Sequence, residues 1–490
     1  MSAHRWGALA DDTAAREIVE VALDAVDGRA EYADVRLVEA EETRVYRQLG
    51  AATDARVEHN VGIGVRVLVD GVWGFAALPL ADSVDAATAA RRAHALAVAS
   101  AGTSAPIRLP AVEARSGRYE TVVEQDPFAV SEDERHGLLS AALAAASAPR
   151  EVVSAQAGVN AKRQHRHFGS SVGSRQHQHF VETGVLVLVI AAGHGDVQRR
   201  SYPNSFHGDT GAAGWEFVLG RDLVTNAARV GEEAVALLTA PVAPSGTADV
   251  VIGAQQLSLQ IHESAGHALE LDRMIGDEAN FAGTSFIGVE DIGRLRYGSP
   301  AVTITSDPTV PGTRGSFAFD DEGTPARRRA LVEGGVIRNA LSNLDSVART
   351  GVALTGAARA DGWAYPPVCF ATHVHLEPGS GSLDELCDRL GDGYYIEDNR
   401  SWSIDERRLN FQFGTEVAYE VRDGKRGRLL KNFSYGGITP RFWNSVEAVA
   451  GPDEARTFGY PCGKGEPKQW SFLSHGAAPA LVRGLRIGVA

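Results

Sequence analysis

The sequence predicts an α+β protein of two domains. Helical patterns alternate with antiparallel hairpin patterns in the first half, which indicates an N-terminal α/β domain at residues 1–242. The segment TAPVAPSG then interrupts both kinds of pattern. Beyond it, short β-type runs with Gly-rich turns predict a C-terminal β-rich, barrel-like domain at residues 243–490 that also carries an HExxxH helix. A chain of 490 residues is too long for one ordinary core, which fits this division.

The N-terminal elements follow from hydrophobic periodicity. Apolar residues recur at helical spacing in three segments, and strand-like alternation fills the segments between them. Asp70 and Gly71 form a sequence that is typical of a hairpin turn. The predicted helices are Asp12–Asp27, Val84–Ala101 and Asp222–Leu238, and the predicted strand regions are Tyr32–Leu49, Gly62–Leu78 and Glu151–Arg200.

The C-terminal elements are predicted to be short strands with few helices. A helix at Gln255–Leu271 follows directly after the strand ADVVIG. Pro241, Pro244 and Gly246 mark the boundary before that strand, because neither helix nor strand tolerates this combination. The later strand runs are AVTITSD, RALVEGGVIRNALS, TEVAYEVRDGKRGRLLKNFSY and ALVRGLRIGVA.

Charge and composition restrict the class of partner and the compartment. A formal net charge of −14 argues against nucleic acid or an anionic membrane as the main partner, since both require a basic surface. The first residues lack a signal-peptide pattern, and the longest apolar run, Gly184–Gly193, has about half of the ~20 residues that a membrane helix needs. Cys369, Cys387 and Cys462 form no CxxC pair. We therefore expect a cytoplasmic protein with reduced thiols.

The segment IHESAGHALELD resembles a zinc-binding helix with one residue too many. In His-Glu-x-x-His the two imidazoles are four residues apart and share one face of the helix. His262 and His267 are five apart, which separates them by roughly 140° on a regular α-helix. A π-type turn would return both to one face, and Gly266 is where it costs least. The spacing predicts a widened turn at Ser264–Gly266.

A catalytic zinc ion usually has three protein ligands and one open position, so a third ligand is required beside the two histidines. Glu270 lies on the same face as His267 and could be a ligand or a carboxylate that orients the imidazole. Cys462 lies in a Gly/Pro-rich loop close to Lys464, where a thiolate forms more easily than in a core. The other candidates are His373 and His375, while Asp272 and Asp277 fit a capping or solvated cluster better.

A second group of histidines occurs in QHRHFGSSVGSRQHQHF. His165 and His167 precede a Gly/Ser turn, and His177 and His179 follow it, so each pair should project from one face of a hairpin. The neighbouring residues are Arg, Gln and Ser, with no carboxylate in the segment. This composition favours a solvated edge hairpin over a metal site.

Other motifs indicate little chemistry. The carboxylates of FDDEGTPARRR, at Asp320, Asp321 and Glu322, fit either a carboxylate site or a charged turn between strands. The glycines around Val61 lack the strand-to-helix context of a dinucleotide-binding fingerprint. Neither a GxSxG elbow nor a P-loop occurs in the sequence.

Taken together, these segments resemble the TldD/PmbA metallopeptidases, and in particular the TldD-type subunit. The resemblance extends over nearly the whole chain. The motifs that carry it are GIGVRVLVDGVWGFAAL, HESAGHALELD, FAFDDEGTPARRRALVEGGVIRNAL and CGKGEPKQ. The HExxxH segment and the late cysteine are the specific part, because the hairpin alone would not identify a family.

The resemblance implies a Zn²⁺ site made by His262, His267 and Cys462, with Glu263 as the general base. It also implies hydrolysis of amide bonds in extended or unfolded peptides, since family members cleave such substrates. They usually act as dimers that enclose the active site, commonly as a heterodimer with a PmbA/TldE-like subunit that lacks the metal motif. A homodimer is the other arrangement.

The sequence departs from the family pattern at CFATHVHLEPG and at GEPKQ after Cys-Gly-Lys. Both departures fall where substrate or metal is expected, so two alternatives stay open. One is a metal-dependent amide hydrolase for a small peptide-like metabolite. The other is a non-catalytic peptide-binding subunit with a structural metal, which four protein ligands would close.

Overall fold

The computed structural model describes residues 6–103 and 105–489. The N-terminal strands form one large sheet in the order β3-β2-β1-β5-β6-β4, with β7 and β8 also paired to β6. Neighbouring strands are antiparallel except for β4 and β6. The elements are α1 (Asp12–Asp24), β1 (Tyr32–Gln48), β2 (Asp54–Val69), β3 (Val72–Pro79), α2 (Ser83–Ala99), β4 (Ser116–Glu120), α3 (Glu132–Ala146), β5 (Val152–Ser170), β6 (Arg175–Gly193), β7 (Asp196–Tyr202), β8 (Asp209–Gly211), α4 (Trp215–Leu219) and α5 (Leu223–Thr239).

The two faces of this sheet differ in polarity. Successive side chains of a strand point to opposite faces of the sheet. Every second residue of a strand therefore shares one face with the residues that it pairs with on the neighbouring strands. One face is apolar at both ends: α1 and α2 cover one end around Leu37 and Ile63, and α3 and α5 cover the other around Ala157 and Val187. Helix-covered apolar faces of this kind supply most of the stability of a domain.

The opposite face of the sheet is polar and packs against the C-terminal half. Arg66 contacts Glu322 at 2.6 Å, and Arg166 contacts Asp321 at 2.9 Å. All four side chains are buried. Of the two interpretations of the acidic segment, the structure shows the charged turn between strands. The turn is buried: Asp321 and Glu322 pair with arginines of the sheet, and Asp320 accepts from backbone N–H groups.

The C-terminal half contains a closed five-stranded barrel and a second sheet. The barrel strands follow the order β16-β9-β23-β19-β17, and β17 pairs back to β16. The second sheet has the order β12-β11-β10-β15-β22-β21. The strands are β9 (Gly246–Ile252), β10 (Ile304–Ser306), β11 (Arg329–Glu333), β12 (Val336–Ile337), β13 (Ala358–Arg359), β14 (Val368–Cys369), β15 (His373–Leu376), β16 (Gly393–Ile404), β17 (Asn410–Arg422), β18 (Lys425–Leu430), β19 (Ser434–Ile438), β20 (Val446–Val449), β21 (Arg456–Lys464), β22 (Gln469–Ala477) and β23 (Ala480–Ile487).

The helices of this half are short. They comprise α6 (Ala254–Ile261), α7 (Leu271–Met274), α8 (Leu344–Thr350), α9 (Leu383–Leu390) and α10 (Thr439–Asn444), with a π-helical turn at His262–Gly266 and 3₁₀ turns at His267–Leu269, Val289–Asp291 and Pro452–Glu454. Ser382 caps α9 by a reciprocal hydrogen-bond pair with Glu385, which satisfies the first free N–H groups of that helix. In the described part of the chain, no helix combines the length and apolarity needed to cross a membrane.

The α+β class and the barrel-like C-terminal half are confirmed. Helix α3 was not predicted. The expectation of a solvated edge hairpin for the histidine group is wrong, because β5 lies between β1 and β6, and β6 has strands on both sides. His165 and His167 are buried. The division of the chain at residue 242 stays a prediction.

Candidate metal centre

The helix that carries HExxxH widens where the sequence predicts it. After α6 the backbone becomes π-helical at His262–Gly266, and the N–H of His267 donates to the carbonyl of His262, five residues back. The two imidazoles then face each other, with ring centroids 4.4 Å apart. The predicted convergence of His262 and His267 is present.

Two buried side chains from other segments contact the widened turn. The hydroxyl of Tyr297 donates to the carbonyl of Ser264, and the indole N–H of Trp443 donates to Ser264 Oγ at 3.0 Å. A π-type turn disturbs the regular hydrogen-bond ladder, so its polar groups need such partners when they are buried. Tyr297 and Trp443 therefore help to hold the turn in its distorted shape.

Cys462 completes a group of three ligand atoms. It lies on strand β21, and its Sγ is 3.4 Å from His267 Nε2. The ligand atoms of His262, His267 and Cys462 all lie within 4.8 Å of one another. Tetrahedral zinc with ligands at about 2.0–2.3 Å requires ligand atoms roughly 3.3–3.7 Å apart, so this set needs little adjustment to hold the ion.

A third histidine, His475, fixes the orientation of the His262 ring. His475 Nδ1 lies 3.0 Å from the carbonyl oxygen of Val374, which can only accept, so His475 Nδ1 carries the hydrogen. Its Nε2 is then free to accept from His262 Nδ1, 2.9 Å away. This assignment leaves His262 Nε2 as the lone-pair atom for a metal. Outer partners of this kind are typical of metal-ligating histidines.

Glu270 performs the same task for His267. Both carboxylate oxygens lie 3.1 Å from His267 Nδ1, whereas Nε2 of this ring faces Cys462. Of the two roles that the sequence left open for Glu270, the structure favours the orienting carboxylate. The remaining ligand candidates lie elsewhere: His373 contacts Ser474, His375 contacts Glu377, Asp272 contacts Lys464, and Asp277 contacts Arg349.

A fully buried lysine holds Glu270 in place. Lys464 Nζ donates to Glu270 Oε2 at 2.9 Å, to Asp272 Oδ1 at 2.7 Å and to the carbonyl of Cys369 at 2.5 Å. Burial alone would raise the pKa of Glu270, but the charges of Lys464 and Arg273 and the hydrogen bond from His267 outweigh it and keep that pKa well below the usual range. Glu270 is therefore an anion that can accept from His267. Cys462 and Lys464 lie two residues apart on strand β21. Cys462 contacts His267 directly, whereas Lys464 acts on His267 through Glu270.

Burial sets the protonation state of the histidines. It lowers the pKa of His262 well below the usual value and lowers that of His475 to about 3. The pKa of His267 is also lowered by burial, against the opposing effect of Glu270. Neutral imidazole is the form that binds a metal, so these rings are ready for one at neutral pH.

Glu263 lies beside the three ligands and contacts an arginine. Its Oε2 is 2.6 Å from Arg408 Nη1, and both side chains are largely buried. Arg408 has a left-handed backbone conformation with φ of 61°, which is uncommon for a residue with a side chain and occurs often at functional sites. Within the described residues its Nε is buried and has no hydrogen-bond partner. No motif in the sequence indicates a role for Arg408.

A small cavity adjoins these residues. It has a volume of about 60 Å³ and is lined by residues that include His262, Glu263, Cys462, Trp402 and Tyr460. This volume holds about one or two water molecules. The three ligands, the carboxylate and a water-sized space thus lie together at the start of the widened turn.

Two family models match the chain. The model of the PmbA/TldA metallopeptidase C-terminal domain matches residues 245–488, and that of PmbA/TldA metallopeptidase domain 1 matches residues 33–97. The chain belongs to the PmbA/TldD metallopeptidase family. Both the HExxxH turn and the Cys-Gly-Lys strand lie within the larger match.

Individual PmbA/TldD relatives agree with this assignment. A metalloprotease of Methanothermobacter thermautotrophicus is 28% identical over 442 residues, 90% of this chain and 92% of its own length. A protein of Saccharolobus solfataricus named zinc metalloprotease TldD homolog is 23% identical over 246 residues, 50% of this chain and 52% of its own. The chain is thus a member of a family of metallopeptidases.

A solved structure shares the fold of this PmbA/TldD member. It is a Thermotoga maritima protein named for a proposed role in modulating DNA gyrase. The TM-score is 0.77 at 17% sequence identity, covering 96% of this chain and all of the other. At that identity the likeness shows the fold alone.

Proposed function

We propose that this chain is a zinc-dependent peptidase, the TldD-type catalytic subunit of its family, which hydrolyses amide bonds of extended or unfolded peptides. The observation that carries the proposal is the convergence of His262, His267 and Cys462 beside the carboxylate of Glu263. Two neutral imidazoles and one thiolate, formed when Cys462 releases its proton on metal binding, suit Zn²⁺, a metal of borderline softness. The zinc metalloprotease name of a relative supports the same metal.

In this proposal the three ligands hold Zn²⁺, which when bound would lower the pKa of a water molecule and polarise the scissile carbonyl. Glu263 accepts a proton from the attacking water and later donates it to the leaving amine. His475 and Glu270 keep the two imidazoles in their ligating tautomers. The cavity has room for the attacking water beside Glu263.

In this proposal Arg408 has two roles: it restrains Glu263, and it donates a hydrogen bond to the substrate. Its Nη1 restrains Glu263, and its Nε retains an N–H without a partner among the described residues. A buried donor of this kind is costly unless a ligand uses it. We assign it to the carbonyl oxygen of the scissile bond, where negative charge develops during attack by water.

Strand β21 supports binding of an extended substrate. In the described part of the chain it is hydrogen bonded to β22 and to no other strand, so it is an edge strand of its sheet, and Asp209 occupies the outer side of that edge only at Gly459. It also carries Cys462. A peptide that adds to such an edge is recognised through its main chain, which suits substrates of varied sequence.

The proposal includes a dimer, with a PmbA/TldE-like subunit as the expected partner. Trp402 and Phe281 are large apolar side chains with 41% and 39% exposure, and both lie close to the catalytic residues. Trp402 lines the cavity, and Phe281 precedes Ala282, whose carbonyl accepts from Arg408. Exposed aromatic residues at a site of this kind favour a protein partner. Light scattering of the chain alone and with such a partner tests this part.

The proposal has two alternatives. A structural metal would be closed by four protein ligands, whereas three ligand residues converge among those described. The altered segments that motivated a small-metabolite substrate do not line the cavity. Phe370 and Ala371 of the first segment contact His267 and Glu270 instead, and the second segment joins β21 to β22. The arrangement therefore favours a peptidase.

The test is hydrolysis of an unfolded polypeptide by the zinc-loaded chain, alone and with a PmbA/TldE-like partner. Glu263→Gln should retain one zinc ion in this centre and lose at least about 100-fold in kcat, as expected when a general base is removed. Glu290→Gln, a change at an exposed position of the 3₁₀ turn Val289–Asp291, serves as the control. Full activity of Glu263→Gln with metal bound would contradict the proposal.

A further inference from the structure

Four histidines lie on the helix-covered face of the N-terminal sheet and have no part in the proposed peptidase. His165 pairs across the strands with His179, and His167 pairs with His177. The inner rings, His167 and His177, stack with centroids 4.0 Å apart. The C-terminal half packs on the other face of this sheet, so the cluster is separate from the HExxxH centre.

A carboxylate reaches the inner pair from helix α1. Asp12 Oδ1 is 3.6 Å from His167 Nδ1 and 3.8 Å from His177 Nδ1. Arg16, at 3.1 Å, and Arg118 both bind the other oxygen, Oδ2. Oδ1 is buried and has no hydrogen-bond partner among the described residues. The two arginines thus orient the carboxylate and leave Oδ1 directed toward the imidazoles.

The hydrogen positions follow from the outer contacts of the rings. His167 Nε2 lies 2.8 Å from the carbonyl oxygen of Leu9, so Nε2 carries the hydrogen and Nδ1 has a lone pair. His177 Nε2 lies 3.1 Å from His165 Nδ1, and the tautomer in which Nε2 donates to that atom leaves His177 Nδ1 with the lone pair that a metal ligand requires.

In this tautomer three acceptor atoms, Asp12 Oδ1 and Nδ1 of His167 and His177, face one another with no hydrogen between them. Such an arrangement is unfavourable unless a cation lies at its centre. We propose that Asp12, His167 and His177 bind a divalent transition-metal ion, separate from the peptidase centre. The ligand atoms lie within 4.8 Å of one another, and a tetrahedral ion with ligands at 2.0–2.1 Å places them about 3.3 Å apart.

The ligand types limit which ions fit. Two imidazoles and one carboxylate suit Zn²⁺, Fe²⁺, Co²⁺ or Ni²⁺, whereas Ca²⁺ and Mg²⁺ require more oxygen ligands. The charges of Arg16 and Arg118 reduce the net negative charge near the ion. We therefore expect weaker binding than at the cysteine-containing centre.

The position of the site assigns it a structural role. Asp12 begins helix α1, and Leu9 belongs to the turn before it, while His167 and His177 lie on central strands. A bound ion would fasten the N-terminal helix to the middle of the sheet. Because the ion binds the folded state, it should stabilise that state in proportion to the logarithm of its concentration.

The experiment uses the full chain with the peptidase centre disabled by His267→Ala and Cys462→Ala. Zn²⁺ alone, or Co²⁺ alone, is titrated in competition with a chromophoric chelator. The disabled chain should bind one ion, and adding His177→Gln should weaken binding at least about 100-fold, beyond the 10–100-fold typical of an outer partner. His179→Gln, a change in the same cluster at a non-ligand position, should weaken it less than about 3-fold.

Asp12→Asn is a second variant that does not alter the sheet, and it should also lose the ion. A rise in Tm on adding Zn²⁺ should occur in the disabled chain and be absent in both variants. No stoichiometric binding of Zn²⁺ or Co²⁺ by the disabled chain would overturn the proposal, as would unchanged affinity in His177→Gln and Asp12→Asn. Since peptidase activity is not measured, failure here is distinct from failure of the proposed function.

Discussion

His262 Nδ1 and His475 Nε2 lie 2.9 Å apart, although 213 positions separate the two residues in the chain. The contact joins the HExxxH turn to strand β22 and fixes which nitrogen of His262 can reach a metal. A ligand that is held in its binding tautomer loses less entropy when the metal binds. This relationship leads to the first prediction.

Replacing His475 by phenylalanine should weaken zinc binding at the HExxxH centre about 10–100-fold, as loss of an outer partner typically does. Competition with a chelator measures the affinity. His373→Gln is the matched control, because His373 is equally buried on the neighbouring strand and contacts Ser474 rather than a ligand. Equal affinities in the two variants would show that His475 does not orient His262.

Replacing Lys464 by methionine should lower the free energy of unfolding by about 3–5 kcal/mol, the usual cost of leaving a buried charge unpaired. Lys464 contacts Glu270 and Asp272, and all three are buried. Urea denaturation of the metal-free chain measures the change. Lys468→Met, at the exposed end of the same hairpin, should cost less than about 0.5 kcal/mol. A loss below about 1 kcal/mol for Lys464→Met would refute the buried network.

Replacing Arg408 by glutamine should lower kcat about 10²–10³-fold and change KM little, because the contact is assigned to the charge that develops during the reaction. Steady-state hydrolysis of an unfolded polypeptide measures both constants. Arg407→Gln is the control, since Arg407 is the exposed neighbour. A rise in KM with unchanged kcat would instead place Arg408 in substrate binding.

Stability should fall in acid through His373, whose pKa burial holds well below 6.5. Below about pH 6.5 the unfolded chain binds a proton at this residue and the folded chain does not, so unfolding becomes easier as pH falls. The loss is up to about 1.4 kcal/mol per pH unit from this one residue.

The measurement for this residue is the difference in unfolding free energy between the wild-type chain and His373→Gln at pH values from 7 to 4. As pH decreases, the unfolding free energy of the wild-type chain should fall more steeply than that of His373→Gln. A difference that is constant across this range would show that His373 has the same pKa in the folded chain as in the unfolded chain, which contradicts the prediction.

The part of the candidate site within the HExxxH segment could be predicted from the sequence. The residues that reach the site from distant segments of the chain could not. The five-residue spacing of His262 and His267 is visible in the sequence, and Gly266 indicates where a turn can widen. His475, Arg408 and the partners of Lys464 reach the site through strand pairings and loops far along the chain. Periodicity does not show which strands pair.

The histidine group shows why polar strands are hard to interpret. Arg and Gln residues around His165 and His177 suggested solvent, but alternate residues of these strands point to opposite faces. Arg166 and Gln178 point to the C-terminal half, where they meet Asp321 and the carbonyl of Phe319. Polar residues are buried here because another polar surface covers them. The carboxylate absent from the segment comes from Asp12, far away in sequence.

The most direct test of the central claim is zinc X-ray absorption of the full chain loaded with one equivalent of Zn²⁺. The sample is the His177→Gln variant, so that zinc bound at the second proposed site does not contribute to the absorption spectrum. We expect one sulfur at about 2.3 Å and two imidazole nitrogens at about 2.0–2.1 Å, with an oxygen in the fourth position. A coordination shell without sulfur, or a chain that holds no stoichiometric zinc, would contradict the assignment of His262, His267 and Cys462 as the ligands.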